Sequence, residues 1–365
     1  MNLDEIRIEL PVLDRIAYLN TGTFGPLPSR TIEAMIEQHR SELARGRSGL
    51  AYWDQARSLR AEVREAVAEL IGATAESVAL TRSTSDGCAI AVAGLRLTAG
   101  DEVVTTDDEH FGLLAALHAS GARVRVARIR ARPLDEVVRA IDAELTERTR
   151  LIAVSHVTWT TGRVLPVRDL GNRGVPVLVD GAQGAGAIPV DVRDLGCDFY
   201  TVSGQKWLLG PDGTGALYVR PERVDKLEIA MPSYFSQQSY EQSGAFVPTP
   251  GAPRFDPGTL PAPSLAGLRE SIAFACDLGD ERFACARRMA ERCRELLSAH
   301  FEVLTEPGQA TLVAFRPGRD PAEAVAALAE KDVIVRNFPG LDWVRASVGF
   351  WTSEEDIERL IAGLS

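Results

Sequence analysis

Two linked segments, Val179-Asp-Gly-Ala-Gln-Gly-Ala-Gly-Ala-Ile188 and Asp198-Phe-Tyr-Thr-Val-Ser-Gly-Gln-Lys-Trp-Leu-Leu-Gly-Pro-Asp-Gly-Thr-Gly-Ala-Leu-Tyr-Val219, decide the fold. The first begins as a continuous apolar run and ends on Asp180. The second carries another apolar run into Ser203, then Lys206 and a glycine-rich turn. Runs without polar alternation predict strands buried on both faces. In an open α/β sheet the carboxyl ends of such strands converge on a ligand crevice. A carboxylate, a lysine and small or hydroxyl residues at that edge suit a phosphorylated aldehyde cofactor. The lysine amine joins the aldehyde, and the carboxylate pairs with a pyridinium nitrogen.

Outward from this core, strand-like and helix-like segments alternate from about residue 76 to residue 220. Strands are expected at Ser77–Thr81, Glu102–Thr106, Arg123–Ala127, Leu151–Ser155, Pro176–Val179, Phe199–Val202 and Gly215–Val219. Helices are expected at Ser85–Leu97, Glu109–Ser120 and Leu134–Leu145, and before them at Ser29–His39 and Trp53–Ile71. The alternation predicts a mainly parallel seven-stranded sheet covered on both faces. Residues 231–263, rich in Pro, Gly, Ser and Gln, read as a long loop. Beyond them come a helical stretch, Pro263–Phe301, and short strands near Phe301–Leu304, Thr311–Phe315 and Val333–Arg336. Helices follow at Ala322–Glu330 and Ser353–Leu364, the latter with Ser353 as N-cap. The expected organisation is an N-terminal segment (1–30), a large domain (31–250) and a smaller α+β domain (251–365).

Composition narrows the function classes. Of 365 residues, 45% are hydrophobic and 25% charged, and 40 basic against 51 acidic residues give a net charge of −11. Such an acidic chain is a poor partner for nucleic acid or an anionic membrane. Its five cysteines show no CxxC pair, which argues against zinc or dithiol chemistry. The odd count fits a reducing, cytoplasmic setting. The polar start MNLDEIRIELPVLD does not read as a signal peptide, and no apolar run is long enough to span a bilayer. A nicotinamide-type GxGxxG is missing, since Gly181-Ala-Gln-Gly-Ala-Gly and Gly210-Pro-Asp-Gly-Thr-Gly have the wrong glycine order. The GxSxG of serine hydrolases is absent as well.

On the lysine and aspartate motifs together, the chain resembles the class V aminotransferases. These are fold type I enzymes dependent on pyridoxal 5'-phosphate (PLP). The branch includes cysteine desulfurases, selenocysteine lyases, cystine C–S lyases and isopenicillin N epimerase. The resemblance runs from Tyr18-Leu-Asn-Thr-Gly22 to the C-terminal helix. It implies that Lys206 holds the cofactor and later moves the substrate α-proton, and that Asp180 faces the pyridine nitrogen. Gln183 resembles the residue reaching the cofactor's phenolic oxygen, and His110 the imidazole stacked on its ring. Thr84 and Ser85, at a helix start, resemble phosphate ligands, although Ser85 and Asp86 also suit plain helix capping. Ser203 resembles a further phosphate ligand. Many relatives have His where this chain has Gln205, whose amide can also donate to phosphate. Gly258 and Thr259 resemble the loop reaching a partner subunit's phosphate, which implies a homodimer with shared active sites. Arg345 resembles the arginine gripping the substrate α-carboxylate. Asn20 and Thr21 resemble the N-terminal lining of the substrate side. Trp159 falls where many relatives place an asparagine.

The resemblance implies a small-molecule amino-acid substrate. Desulfurase relatives carry a sulfur-accepting cysteine on a loop ahead of the carboxylate arginine. Here the stretch Val333–Arg345 has none, and Cys88, Cys197, Cys276, Cys285 and Cys293 lie elsewhere. The leading expectation is therefore α,β-elimination from cysteine, cystine or an S-substituted cysteine, giving pyruvate and ammonia. Transamination and epimerisation use the same core residues and stand as alternatives. A non-catalytic descendant of the fold would be expected to lack Lys206 or Asp180.

Overall fold

The computed structural model describes residues 2–171 and 173–364. Its main sheet contains β1 (Val78–Thr81), β2 (Glu102–Thr106), β3 (Arg123–Ala127), β4 (Thr149–Ser155), β5 (Val177–Asp180), β6 (Phe199–Ser203) and β7 (Gly215–Val219). Their spatial order is β1-β7-β6-β5-β4-β2-β3. Only β7 runs against the rest, pairing antiparallel with both β1 and β6. The mainly parallel seven-stranded α/β sheet expected from the alternation is thus present.

Neighbouring residues on each strand face opposite layers. Val177, Val179, Tyr200 and Val202 join one core with Leu59, Val63 and Val67 of the helix Gly49–Leu70. Leu178, Phe199 and Leu217 join a second core with Cys88, Ile90 and Leu113 from the helices Thr84–Gly94 and Phe111–Ala119. Because both faces are covered, the strands carry apolar residues at successive positions.

The remainder departs from the sequence reading in three places. The stretch 263–301 is two helices, Ala262–Asp277 and Glu281–Ser298, divided at Gly279 with φ 58°. The first contributes Leu265, Leu268 and Ile272 to the large-sheet core, while the second gives Ala290, Cys293 and Leu297 to the core of the smaller sheet. The segment 231–263 is not a bare loop. It contains a hairpin, Gln237–Tyr240 against Phe246–Pro248, with mostly exposed side chains. The single strand expected at Val333–Arg336 changes partner midway. Val333–Ile334 pairs parallel with Ala17–Tyr18, and Arg336–Asn337 pairs antiparallel with Val344–Ser347.

The smaller sheet has the order Glu302–Val303, Leu312–Arg316, Val344–Ser347, Arg336–Asn337, and is antiparallel throughout. Through Ala17–Tyr18 and an Asn20–Ser347 bridge, the N-terminal segment lies beside this sheet. The closing helix Glu354–Leu364 is capped by Ser353, whose hydroxyl accepts from Asp356 N–H at 3.2 Å. No helix among the described residues is long and apolar enough to cross a membrane.

A buried charge cluster ties the end of the 231–263 segment to the large domain. Asp256, 1% exposed, accepts from Arg60 at 2.6 Å, from Arg64 at 3.0 Å and from the Leu80 N–H of β1 at 2.8 Å. Removing the carboxylate leaves two guanidiniums buried without their counter-charge. Asp256→Ala should therefore lower unfolding free energy by about 3–5 kcal/mol, measured by urea titration. A loss below 1 kcal/mol would show that the cluster is not needed.

Candidate active site

Asp180 and Lys206 reach the site from adjacent parallel strands. Asp180 is the last residue of β5 and is 4% exposed. Its Oδ1 accepts from Ala182 N–H at 2.9 Å, and Thr201 Oγ1 lies at 3.5 Å. Its Oδ2 has no hydrogen-bond partner among the described residues. One carboxylate oxygen is thus fixed by the turn and the other is available to a ligand.

Lys206 sits three residues beyond β6 in a tight turn. Gly210 N–H returns to Gly204 C=O at 2.8 Å, and Leu209 N–H donates to Lys206 C=O at 3.1 Å. Leu209 has φ 55°, an uncommon conformation for a branched residue, held here by these bonds and by complete burial. Burial lowers the Lys206 amine to about 8, with Arg345 and Arg336 pushing the same way and Asp180 opposing. Gly25 packs on this turn, its N–H donating to Gln205 C=O at 2.7 Å, and any Cβ there would collide with the Lys206 carbonyl.

Gln183 joins two arms of the site. Its Nε2 donates to Gly22 C=O and its Oε1 accepts from Trp207 Nε1, both at 2.8 Å. His110 is the N-cap of Phe111–Ala119. Its Nδ1 accepts from Gly112 N–H at 3.0 Å, which places the ring proton on Nε2 in the neutral form. Burial depresses its pKa, with Lys206 pushing the same way and Asp180 opposing.

The helix Thr84–Gly94 begins one residue earlier than expected. Its N-cap is Ser83, which accepts from Asp86 N–H at 3.1 Å, so Thr84 and Ser85 occupy the first turn with their N–H groups free of the cap. The Ser83-x-x-Asp86 spacing could have identified it. Asp86 instead pairs with Arg82 at 2.6 Å. Ser203 is bonded to Gln205, its Oγ donating to Oε1 at 2.7 Å. This leaves the Gln205 amide N–H groups to point elsewhere. Gly258 and Thr259 are not drawn to the Lys206 turn. Gly258 C=O lies 3.5 Å from Arg60 Nη1, and the glycine packs beside Ser233.

Arg345 is fully buried in the Val344–Ser347 strand. One nitrogen, Nη1, donates to the Trp159 carbonyl, while Nε and Nη2 have no partner among the described residues. Gly22 approaches so closely that a Cβ would meet Arg345 Nη2 at 2.5 Å. A buried cation with two vacant donors is costly unless an anion completes it. Thr21 is also fully buried, its hydroxyl unpartnered among the described residues, and Asn20 Oδ1 accepts from Thr23 Oγ1 at 2.8 Å.

Three features escaped the sequence reading: Arg336, the aromatic wall built on Trp159, and Glu109. Arg336 stands directly opposite Arg345 in the antiparallel register, so both guanidiniums share one face of the sheet. Its Nη1 donates to Thr23 Oγ1 at 2.8 Å, and Phe338 lies against both guanidiniums at 5.8 and 5.2 Å. Trp159 contacts His110 edge-on at 4.9 Å and Phe338 at 4.8 Å, forming an aromatic wall. Glu109, beside His110, was also missed. It accepts from Ser155 N–H at 2.9 Å and from the Ser155 and Thr106 hydroxyls at 2.5 Å, and burial raises its pKa to about 8. The signal for Arg336 was its nine-residue separation from Arg345, visible only once a hairpin is assumed.

The donor set therefore offers one amine, one free carboxylate oxygen, an open helix start and two guanidiniums. That set fits a phosphorylated aldehyde with a ring nitrogen, together with a carboxylate-bearing substrate. Among the described residues no group of three or more His, Cys, Asp or Glu side chains could hold a metal ion.

The sequence matches the aminotransferase class-V family over residues 17–360, and the chain belongs to that family. It is 32% identical over 391 aligned residues to isopenicillin N epimerase of Streptomyces clavuligerus, covering 99% of this chain and 97% of that protein. It is 30% identical to a cysteine desulfurase of Cronobacter sakazakii, covering 100% and 97%. A mutant of C-DES with glycine covalently linked to its PLP cofactor superposes with TM-score 0.93 at 30% identity, covering 98% of each chain. The complex of the cystine C–S lyase C-DES with its product cysteine persulfide gives TM-score 0.91 at 30% identity, covering 97% and 98%.

The depressed amine pKa has a direct consequence. A lysine near 8 is half neutral there, whereas an ordinary lysine needs about 10.5. Acetylation of Lys206 in the cofactor-free protein, followed by peptide mass spectrometry, should rise with pH and reach half its maximum near pH 8. A midpoint above 10 would contradict the site's electrostatics.

Proposed function

We propose that the protein is a PLP-dependent C–S lyase that carries out α,β-elimination on cystine, cysteine or an S-substituted cysteine, releasing pyruvate, ammonia and a thiol or persulfide. The observation that carries the reading is the pairing of Arg345 and Arg336 on one sheet face beside a Lys206 amine poised near 8, with no thiol in the connecting hairpin. Family membership and the likeness to a cystine C–S lyase support it.

PLP, when bound, supplies an electron sink that makes the α-proton of an attached amino acid removable. In this reading Lys206 holds the cofactor and afterwards takes the α-proton, for which a neutral amine is required. Asp180 Oδ2 holds the ring nitrogen protonated. His110, neutral and Nε2-protonated, would stack on the ring of the bound cofactor. The free N–H groups of Thr84 and Ser85, with Ser203 and Gln205, hold the phosphate at the positive end of a helix. Gln183 orients the phenolic side while tying Gly22 to Trp207. Arg345 takes the α-carboxylate in two parallel hydrogen bonds, using the nitrogens that are otherwise vacant. Asn20 and Thr21 line the substrate side. Arg336 offers the second carboxylate of a cystine molecule a charge-assisted contact.

No cysteine is placed to accept sulfur. Cys88, Cys197 and Cys293 are buried, with burial raising the Cys88 thiol well above its ordinary value and the other two to about 12. Cys285 contacts the Phe350 carbonyl from its helix, and Cys276 lies on the neighbouring one. Burial thus disfavours a thiolate at Cys88, Cys197 and Cys293, and the exposed Cys276 lies outside the hairpin that carries Arg336 and Arg345.

The same reading makes the protein a cytoplasmic homodimer, in which Gly258 and Thr259 reach the partner's phosphate. In support, Gly258 sits near the outer face formed by Trp53 and Tyr234, whose rings are 5.7 Å apart and partly exposed. Ile32, Ile36, Leu43 and Leu50 are exposed on the helices nearby, an apolar surface of the kind a second copy covers.

Purified protein with PLP should release pyruvate from cystine. If amino acids instead give a lasting pyridoxamine form and no pyruvate, transamination replaces elimination. Lys206→Ala should abolish pyruvate formation. Arg336→Gln should raise KM for cystine roughly tenfold or more, the loss expected of one charged hydrogen bond, and leave S-methylcysteine little affected. Equal effects on both substrates would remove Arg336 from the second-carboxylate role.

A further inference from the structure

A cavity of about 480 Å³ lies behind the active site, between the large sheet and the smaller domain. One side is formed by His156, Val164 and the segment Ala187–Pro189, and the other by Phe283, Ala284 and Arg287 of the helix Glu281–Ser298, with Gln309 and Thr311. The volume is that of an ordinary small-molecule site.

Its polar groups are unusually underused. Thr311 is 2% exposed and its hydroxyl has no partner among the described residues. His156, 4% exposed, bonds Tyr200 OH through Nδ1 at 3.0 Å, and its Nε2 has no partner among the described residues. Burial lowers its pKa to about 4, so the imidazole is neutral. Gln309 uses Oε1 for Val164 N–H at 2.8 Å, leaving its amide hydrogens free. Arg287, exposed at the mouth, makes no salt bridge among the described residues. These groups are mostly donors, and the helix start at Glu281 adds the positive end of an eighteen-residue helix. Two acidic groups oppose them: Asp280, exposed at the rim, and Glu291, which accepts from the lining Gly308 N–H at 2.6 Å and is paired with Arg294 at 2.8 Å.

The cavity is also wired to the site. His156 N–H donates to Asp180 C=O at 2.9 Å, and Leu165 N–H donates to His156 C=O at 2.9 Å. Residues 156 and 164 are thus the two ends of the turn carrying Trp159, which holds Arg345 and touches His110. On the same wall, Ala187–Pro189 continues the Asp180–Gly186 turn, with Ile188 N–H bonded to Gly184 C=O at 3.0 Å.

We propose that this cavity is a second binding site, for a small carboxylic acid with a compact apolar body, and that its occupancy modulates turnover through the turns bearing Asp180 and Trp159. The carboxylate meets Arg287 and Gln309, and the apolar body lies on Val164, Ile188 and Phe283. Occupancy fills space between the two units and so favours one setting of them over others.

The test uses 4-methylpentanoate, which has no amino group and cannot join the cofactor. Calorimetric titration of the PLP-loaded enzyme should show binding that substrate does not displace, with kcat altered and KM little changed. Ala284→Phe, which fills the cavity, and Arg287→Glu, a surface change, should each weaken binding roughly tenfold or more while keeping the cofactor colour. Should Ala284→Phe fail to fold, Arg287→Glu decides alone. No heat at millimolar concentrations overturns the proposal. Binding that both variants leave unchanged, or that substrate displaces completely, places the acid at Arg345 and overturns it equally. These readouts are binding measurements and stand whichever reaction the enzyme performs.

Discussion

The site depends on positive charge that the fold buries and leaves incomplete. Arg345 is enclosed in a strand with two nitrogens unpartnered, and Arg336 faces it across one register position. A desolvated guanidinium without an anion is costly, so the fold stores a demand for carboxylate at this position. The same charges act on Lys206. Burial is the larger influence, but both arginines help bring its pKa down to about 8, so that a neutral fraction exists near physiological pH. Ligand recognition and the basicity of the proposed general base are thus set by one electrostatic arrangement.

The surrounding structure holds that arrangement by short connections between distant segments. Gln183 spans from the N-terminal Gly22 to Trp207 beside Lys206. Gly22 and Gly25 let the N-terminal backbone touch Arg345 and the lysine turn, where any side chain would collide. Leu209 takes a left-handed backbone where the turn after Lys206 closes, its N–H donating to Lys206 C=O at 3.1 Å. The N-terminal segment, the large sheet and the smaller sheet therefore meet at one point, and a change in any of them reaches the others.

Much of this was legible in the sequence. Asp180 and Lys206 could be found because strands buried on both faces are continuous apolar runs, and a charge at their ends stands out. Arg345 was found through its motif. Arg336 was hidden because its strand is two residues long, too short for a periodic signal, and joins a different sheet from Val333 and Ile334. The Ala17–Tyr18 strand was hidden for the same reason. The hairpin within 231–263 escaped because its side chains are mostly exposed and carry no buried pattern. Ser83 was passed over as N-cap because three adjacent hydroxyl residues compete for the position, and only its bond to Asp86 N–H decides.

The central claim is that a neutral Lys206 takes the α-proton and that the Cβ–S bond then breaks. Its most direct test is the fate of cystine in deuterated water, followed by mass spectrometry of all carbon-containing products. The account predicts pyruvate carrying deuterium in its methyl group, with persulfide or its breakdown products in equal amount. Recovery of cystine deuterated at Cα with its Cβ–S bond intact, or of a sulfur-bearing keto acid, would contradict it.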